Sequence, residues 1–274
     1  MWREFRSAAI HAAKRRPARW AAYPIYSALV QAALFLERMR DAHVPCAVDD
    51  LSDVTALVKT FERPAILQRL LRSLRDAYPT LAVLVVDDSR HPINLRGPGL
   101  RTLALPYDVG ISEGRNRGLE QVTTEFFLLL DDDFVLTRRT GLVDALALMR
   151  GHPQLDIMGG QIHNLPTYEH GLRGENRNCF GGIPGPAEIG GLPHFDRVTN
   201  FFLARKHRVQ TIGWDAQLKL LEHSDFFRRA HGKLTTVFNA RLSCLHAMTP
   251  FDADYMKKRE DIAPYLALLH QKWK

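Results

Sequence analysis

The stretch GRNRGLEQVTTEFFLLLDDDFVLTRRT, residues 114–140, decides the fold. It holds a polar segment of helical spacing, the apolar run FFLLL (126–130) and three consecutive carboxylates, Asp131, Asp132 and Asp133. The apolar run reads as a strand that continues a strand and helix alternation. The order helix, strand, acids sets the carboxylates at the strand's carboxyl end, where ligands gather in parallel α/β sheets.

The same alternation extends toward the N-terminus. VTALVKTF (54–61) is β-rich, PAILQRLLRSLRDAY (64–78) has apolar residues at helical spacing, and LAVLVV (81–86) is a second strand, which together predict a βαβ unit. Pro64 fits a first helical turn, and Tyr78-Pro79 marks its stop. LRTLAL (100–105) and ISEGRNRGLEQV (111–122) continue the pattern up to FFLLL, so the fold class expected is α/β with a mainly parallel central sheet flanked by helices. Polar groups recur at three strand ends: Thr60 and Arg63, then Asp87 and Asp88, then the Asp131–Asp133 triplet.

Toward the C-terminus, LDIMGG (155–160), VTNFFLA (198–204) and LTTVFNARLSCLH (234–246) read as strand material and EHSDFFRRA (222–230) as a helix. Residues 159–193 hold nine of the eighteen glycines and too few apolar residues for a core of their own. Either a mobile substrate-facing loop or an ordinary insertion fits that composition.

The chain has 274 residues, 46% hydrophobic and 24% charged, which excludes disordered, collagenous and polytopic membrane classes. Its net charge is +7, and residues 1–20 alone carry Arg3, Arg6, Lys14, Arg15, Arg16 and Arg19 against Glu4. No basic stripe interleaved with aromatics follows, so nucleic acid is not an expected partner. Residues 20–36 run seventeen positions without a charge but are Ala-rich and interrupted by Pro24, Ser27 and Gln31. A helix starting near Pro24 and packed on the body, a helix lying on an anionic membrane, or an anchor all remain open there. Cys46, Cys179 and Cys244 have no C-x-x-C spacing, which suits a reducing compartment. The expected division is a basic arm and helical segment (1–50), a catalytic domain (51–247) and a helical tail (248–274).

Carboxylates at i and i+2 after a strand can hold a hard divalent ion that also binds a diphosphate; the alternative is a solvated turn. His246 ends a later strand, where an imidazole completes such a site or serves the core. Glu222 and Asp225 share one helical face and suit a base beside a sugar diphosphate, or cap their helix. Arg115, Asn116 and Arg117 are within one turn of each other and suit a phosphate or ribose. No P-loop, dinucleotide fingerprint or G-x-S-x-G is present.

These residues, together with VTALVKTFERP, YPTLAVLVVDDS, DIMGGQI and VTNFFLARKHRVQTIGWDAQLKLLEHSDFF, make residues 53–247 resemble the GT-A fold inverting glycosyltransferases. In order and spacing they are similar to the ganglioside-type β-1,4-N-acetylgalactosaminyltransferases. The resemblance implies a GT-A (nucleotide-diphospho-sugar transferase) fold, a UDP-sugar donor, a glycan or glycolipid acceptor and Mn²⁺ or Mg²⁺ as cofactor. By the same resemblance Thr60, Phe61 and Arg63 line a uridine pocket, Asp87 and Asp88 meet uracil or ribose, and Arg115 and Asp132 help hold the nucleotide. Asp131 faces ribose and donor sugar and, with Asp133 and His246, forms the metal set. Asp225 or Glu222 is the base, and His223 stands where the wider fold often has one. A cytoplasmic enzyme, peripheral on the inner face of the plasma membrane through residues 1–40, fits the arm. Rival expectations are a non-catalytic GT-A scaffold and a nucleotidyltransferase.

Overall fold

The computed structural model describes residues 16–46, 50–170, 179–182, 185–258 and 262–274. Four basic residues of the arm (Arg3, Arg6, Lys14, Arg15) and most of the Gly-rich loop's tip (171–178, 183–184) lie outside them. The first half alternates as expected: β1 (Val54–Thr60), α2 (Pro64–Ala77), β2 (Ala82–Asp87), β3 (Leu100–Ala104), α3 (Ile111–Gln121) and β4 (Phe126–Asp131), preceded by α1 (Arg16–Asp41). Then come β5 (Phe134–Val135), α4 (Leu142–Gly151), β6 (Ile157–Asn164), β7 (Glu169–His170), β8 (Glu188–Ile189), β9 (Leu192–Pro193), β10 (Phe202–Arg205) and α5 (Lys206–Gln210). The chain ends with α6 (Glu222–Ala230), β11 (Thr236–His246), α7 (Ala253–Lys258) and α8 (Ala263–Lys272).

Among the described residues the main sheet runs β3-β2-β1-β4-β10-β6-β11-β5, with β7 beside β6. The ladders β3-β2, β2-β1, β1-β4 and β6-β11 are parallel. β10 runs antiparallel to both its neighbours. The register aligns the polar strand ends: Thr60 pairs with Asp87, and Lys59 with Asp131. On the other side β11 runs antiparallel to β5 and pairs His246 with Phe134, which returns this distant histidine to the acidic triplet.

Alternation along FFLLL splits its side chains between two cores. Phe126, Leu128 and Leu130 pack with Leu67, Leu70 and Leu74 of α2 and Leu142 and Leu146 of α4. Phe127 and Leu129 pack on the opposite face with Leu119, Phe202, Phe226 and Phe227. Successive strand side chains point to opposite faces, so a run apolar at every position needs cover on both. Each such side chain contributes about 2 kcal/mol by leaving water.

The glycines of the opening stretch are explained by close approach. A Cβ on Gly118 would stand 2.6 Å from Leu57 Cδ1 and 2.7 Å from Val86 Cγ2, and one on Gly114 would stand 2.3 Å from Lys59 Cε. Their bare backbone seats α3 directly on β1 and β2.

Two local expectations differ. α1 starts at Arg16, so Pro24 lies within the helix, not at its start. A proline there removes one backbone donor. VTNFFLA contributes only its last three residues to β10, while the Thr199 hydroxyl donates to Gly160 O at 2.9 Å. β11 shifts register between Asn239 and Ser243. α1 buries Val30, Ala33 and Leu34 against Val135, Leu165, Leu245 and Ala247, and among the described residues no helix is long and apolar enough to cross a membrane.

Candidate active site

The site lies at the carboxyl ends of β1, β2 and β4, and each acid of the DDD triplet has its own environment. Asp132 turns inward. Its Oδ2 accepts from Thr60 Oγ1 at 2.8 Å and from Arg63 Nε at 3.3 Å, and its Oδ1 pairs with Arg63 Nη2. Burial pushes the Asp132 carboxyl upward, against the pull of Arg63. Arg63, 5% exposed and stacked 4.0 Å over the Tyr255 ring, also reaches Asp133 Oδ2 at 3.0 Å. Thr60, Arg63 and Asp132, all expected against the nucleotide, thus form one buried clamp joining β1 to β4.

Asp133 Oδ1 stands 3.3 Å from His246 Nε2. Burial favours the neutral carboxyl, but His246 and Arg63 outweigh it and hold Asp133 well below the usual carboxylate range. The other imidazole nitrogen, Nδ1, lies 2.8 Å from Asn164 Oδ1 and donates to it, which fixes the ring's orientation. Two ligands at right angles on an Mg²⁺-sized ion stand about 3 Å apart, so this O/N pair fits a hard divalent ion. Asp131 is not a third member of a ready cage: among the described residues no three His, Cys, Asp or Glu side chains converge on one point.

Asp131 is tied instead to α6. Arg115 is 1% exposed; its Nη2 meets Asp131 Oδ1 at 2.9 Å and its Nη1 meets Glu222 Oε1 at 2.7 Å. Its guanidinium sits 5.7 Å from the Trp214 ring centre. Arg115 therefore fixes two acids from distant parts of the chain, with the Asp131 side chain still 34% open to solvent. Burial raises the Asp131 carboxyl, and Arg115 opposes that rise. Of the other α3 candidates, Asn116 gives both ends of its amide to Trp214's backbone (2.7 and 2.8 Å). Arg117 lies at the surface, paired with Glu113 at 2.7 Å.

α6 begins on Leu221, held at φ 64°, a left-handed conformation uncommon for a branched side chain. Neither acid caps the helix. Asp225 is 1% exposed and accepts from Arg229 Nε (2.8 Å), Trp273 Nε1 (3.0 Å) and Lys272 Nζ (2.9 Å). The last residues of the chain thus lie over Asp225, while Glu222 faces Asp131 through Arg115. His223 lies between them; burial lowers its pKa to about 4, against Glu222 and a hydrogen bond to Val198's backbone, both of which favour the charged ring.

At the β2 end, Asp87 closes its own loop by accepting from Ser89 N (2.9 Å) and Ile93 N (2.8 Å). Asp88 pairs with Lys59 and accepts from Gly110 N at 3.0 Å. Burial pulls the Lys59 ammonium pKa down, opposed by Asp88 and Asp87. Phe61 lies 5.6 Å from the Tyr107 ring, which is 49% exposed and carries Arg90 at 4.7 Å. This aromatic pair suits stacking with a nucleobase. Lys59, Asn164 and Tyr107 escaped the sequence analysis. Lys59 had a signal, a cation inside the buried strand VTALVKT, which requires a buried anion.

A mostly parallel curled sheet flanked by helices, with charged and polar groups at its carboxyl edge, is the GT-A glycosyltransferase fold. Residues 55–207 match the family Glycosyl transferase family 2, and the chain belongs to it. It is 35% identical over 195 residues to "Beta-1,4 N-acetylgalactosaminyltransferase 1" of Rattus norvegicus, and 37% identical over 195 residues to that of Homo sapiens; each match covers 66% of this chain and 36% of the relative. The chain thus spans about a third of the length of the curated relatives it matches. Among solved structures it resembles S. aureus TarS 1-349 in complex with UDP-GlcNAc, at TM-score 0.56 and 19% identity over 72% of this chain and 59% of that one. The same TarS fragment has also been solved with UDP, at TM-score 0.56 over 72% of this chain and 61% of that one.

Proposed function

We propose that this chain is an inverting hexosyltransferase that moves a sugar, GalNAc first among candidates, from a UDP-sugar to a hydroxyl of a glycan or glycolipid. The observation that carries the reading is the pairing of Asp133 Oδ1 with His246 Nε2 at 3.3 Å beside the Asp131–Arg115–Glu222 chain. The donor class follows the names of the relatives and the UDP and UDP-GlcNAc complexes of the structural neighbour.

In this reading Asp133 and His246 hold Mn²⁺ or Mg²⁺, and Asn164 and Arg63 orient them. The ion's contribution is Lewis-acid stabilisation of charge on the departing UDP. The Phe61–Tyr107 pair receives the uracil, and Asp131 faces ribose and donor sugar. Glu222, aimed by Arg115, accepts the acceptor hydroxyl's proton as its oxygen attacks the anomeric carbon. A second reading gives that proton to His223, which neighbours Glu222 on the first turn of α6. Asp225, enclosed by Arg229, Lys272 and Trp273, positions α6 and the chain end.

Release of UDP from UDP-GalNAc, UDP-GlcNAc and UDP-Gal, with Mn²⁺, Mg²⁺ or chelator, tests the reading. Metal-dependent release from UDP-GalNAc supports it in full, release from another donor replaces the sugar, and neither release nor binding of any donor favours a non-catalytic scaffold.

A further inference from the structure

α1 carries two apolar faces, and the body uses only one. Val30, Ala33, Leu34 and Glu37 are buried, whereas Ile25, Leu29, Phe35, Leu36 and Met39 are 63, 52, 62, 54 and 54% exposed. With the exposed Ala28 and Ala32 these residues recur at spacings of three, four and seven, a single stripe about 21 Å long on the side away from the body. No charge interrupts it. Glu37 and Asp41 pair with Arg139, Glu37 also takes Arg40 at 2.6 Å, and by helical rotation Arg38 and Arg40 flank the stripe on its two sides.

We infer that this stripe docks α1 on an anionic lipid surface. Large contiguous apolar patches on a soluble body mark interaction sites, and charge selects the occupant here. The fifteen residues before α1 carry Arg3, Arg6, Lys14 and Arg15 against Glu4, and Arg16, Arg19, Arg38 and Arg40 lie on α1 itself. A second copy seated on the stripe would bring two such basic segments together, which like charges disfavour. An apolar stripe with basic flanks is the pattern of a helix lying in the interface of anionic lipid. The other face of α1 packs on Val135 and Leu245, next to the strand ends bearing Asp133 and His246. Docking therefore holds that end of the site near headgroups, where a glycolipid acceptor would stand; this last step alone rests on the transfer reading above.

The test is flotation of the full chain with phosphatidylcholine vesicles, with and without phosphatidylglycerol, beside the Leu29→Glu/Phe35→Glu variant. The full chain is expected to float with the anionic vesicles, and the variant to bind about tenfold more weakly or less, with unchanged thermal melting and unchanged UDP release in the absence of lipid. Absence of flotation overturns the inference, as does equal flotation of the variant. A lipid-indifferent chain whose self-association the variant abolishes also overturns it and assigns the stripe to a second copy. Flotation reads lipid binding without sugar transfer, so its failure and that of the transferase reading are separable.

Discussion

Asp133 has two sides, Oδ2 held by Arg63 and Oδ1 turned to His246, and a single truncation should separate fold from chemistry. Arg63 keeps Asp132 when Asp133 is lost, so Asp133→Ala is expected to melt near the wild type while metal-dependent UDP release disappears; wild-type turnover would remove the metal assignment. Asn164→Ala should leave the ligands in place but free the imidazole, raising the metal concentration for half-maximal rate by about tenfold to a hundredfold. On α6, Glu222→Gln is expected to abolish transfer while donor binding, read by calorimetry, survives. Asp225→Asn should instead cost about 2 kcal/mol of stability by weakening three charge-assisted or buried hydrogen bonds, with kcat largely kept. His223, whose pKa falls to about 4 on burial, binds its proton more weakly folded than unfolded. Its contribution to stability is therefore complete above about pH 6.5 and lost as pH falls toward 4, with a slope of at most about 1.4 kcal/mol per pH unit. Urea titrations between pH 7 and 4 on wild type and His223→Gln measure that difference.

Among the elements, those with a simple period were legible and those set by distant contacts were not. FFLLL announced a strand, its cover on both faces emerging only from the packing, and α2 announced itself through Leu67, Leu70 and Leu74. The reversal of β10 left no mark, since a short apolar strand looks alike in either direction. Pro24 suggested a helix start, whereas packing of Val30, Ala33 and Leu34 carries α1 through it. The seat of α3 on β1 is testable: Gly118→Ala puts a methyl 2.6 Å from Leu57 Cδ1. Overpacking of this kind costs about 1–3 kcal/mol, to be read by chemical denaturation; an unchanged midpoint would show that α3 can lift away freely.

Over the whole molecule, the candidate site joins groups that sequence order keeps apart. The residue types were visible because polar groups recur at three successive strand ends, although Asp87 and Asp132 prove to brace the loops there. Their partners were not: Arg115 bridging Asp131 to Glu222, Asn164 orienting His246, and Trp273 with Lys272 covering Asp225 depend on how α3, β6 and α8 come together. Family 2 membership and the GT-A fold fix the scaffold, and these contacts give Glu222 and Asp225 different surroundings within it. The account turns on whether the pair Asp133 and His246 serves a UDP-sugar. UDP release from UDP-GalNAc in Mn²⁺, compared with chelator and with Asp133→Ala, tests that claim most directly. The account predicts release that requires both the metal and Asp133; release indifferent to chelator and undiminished in Asp133→Ala would contradict it.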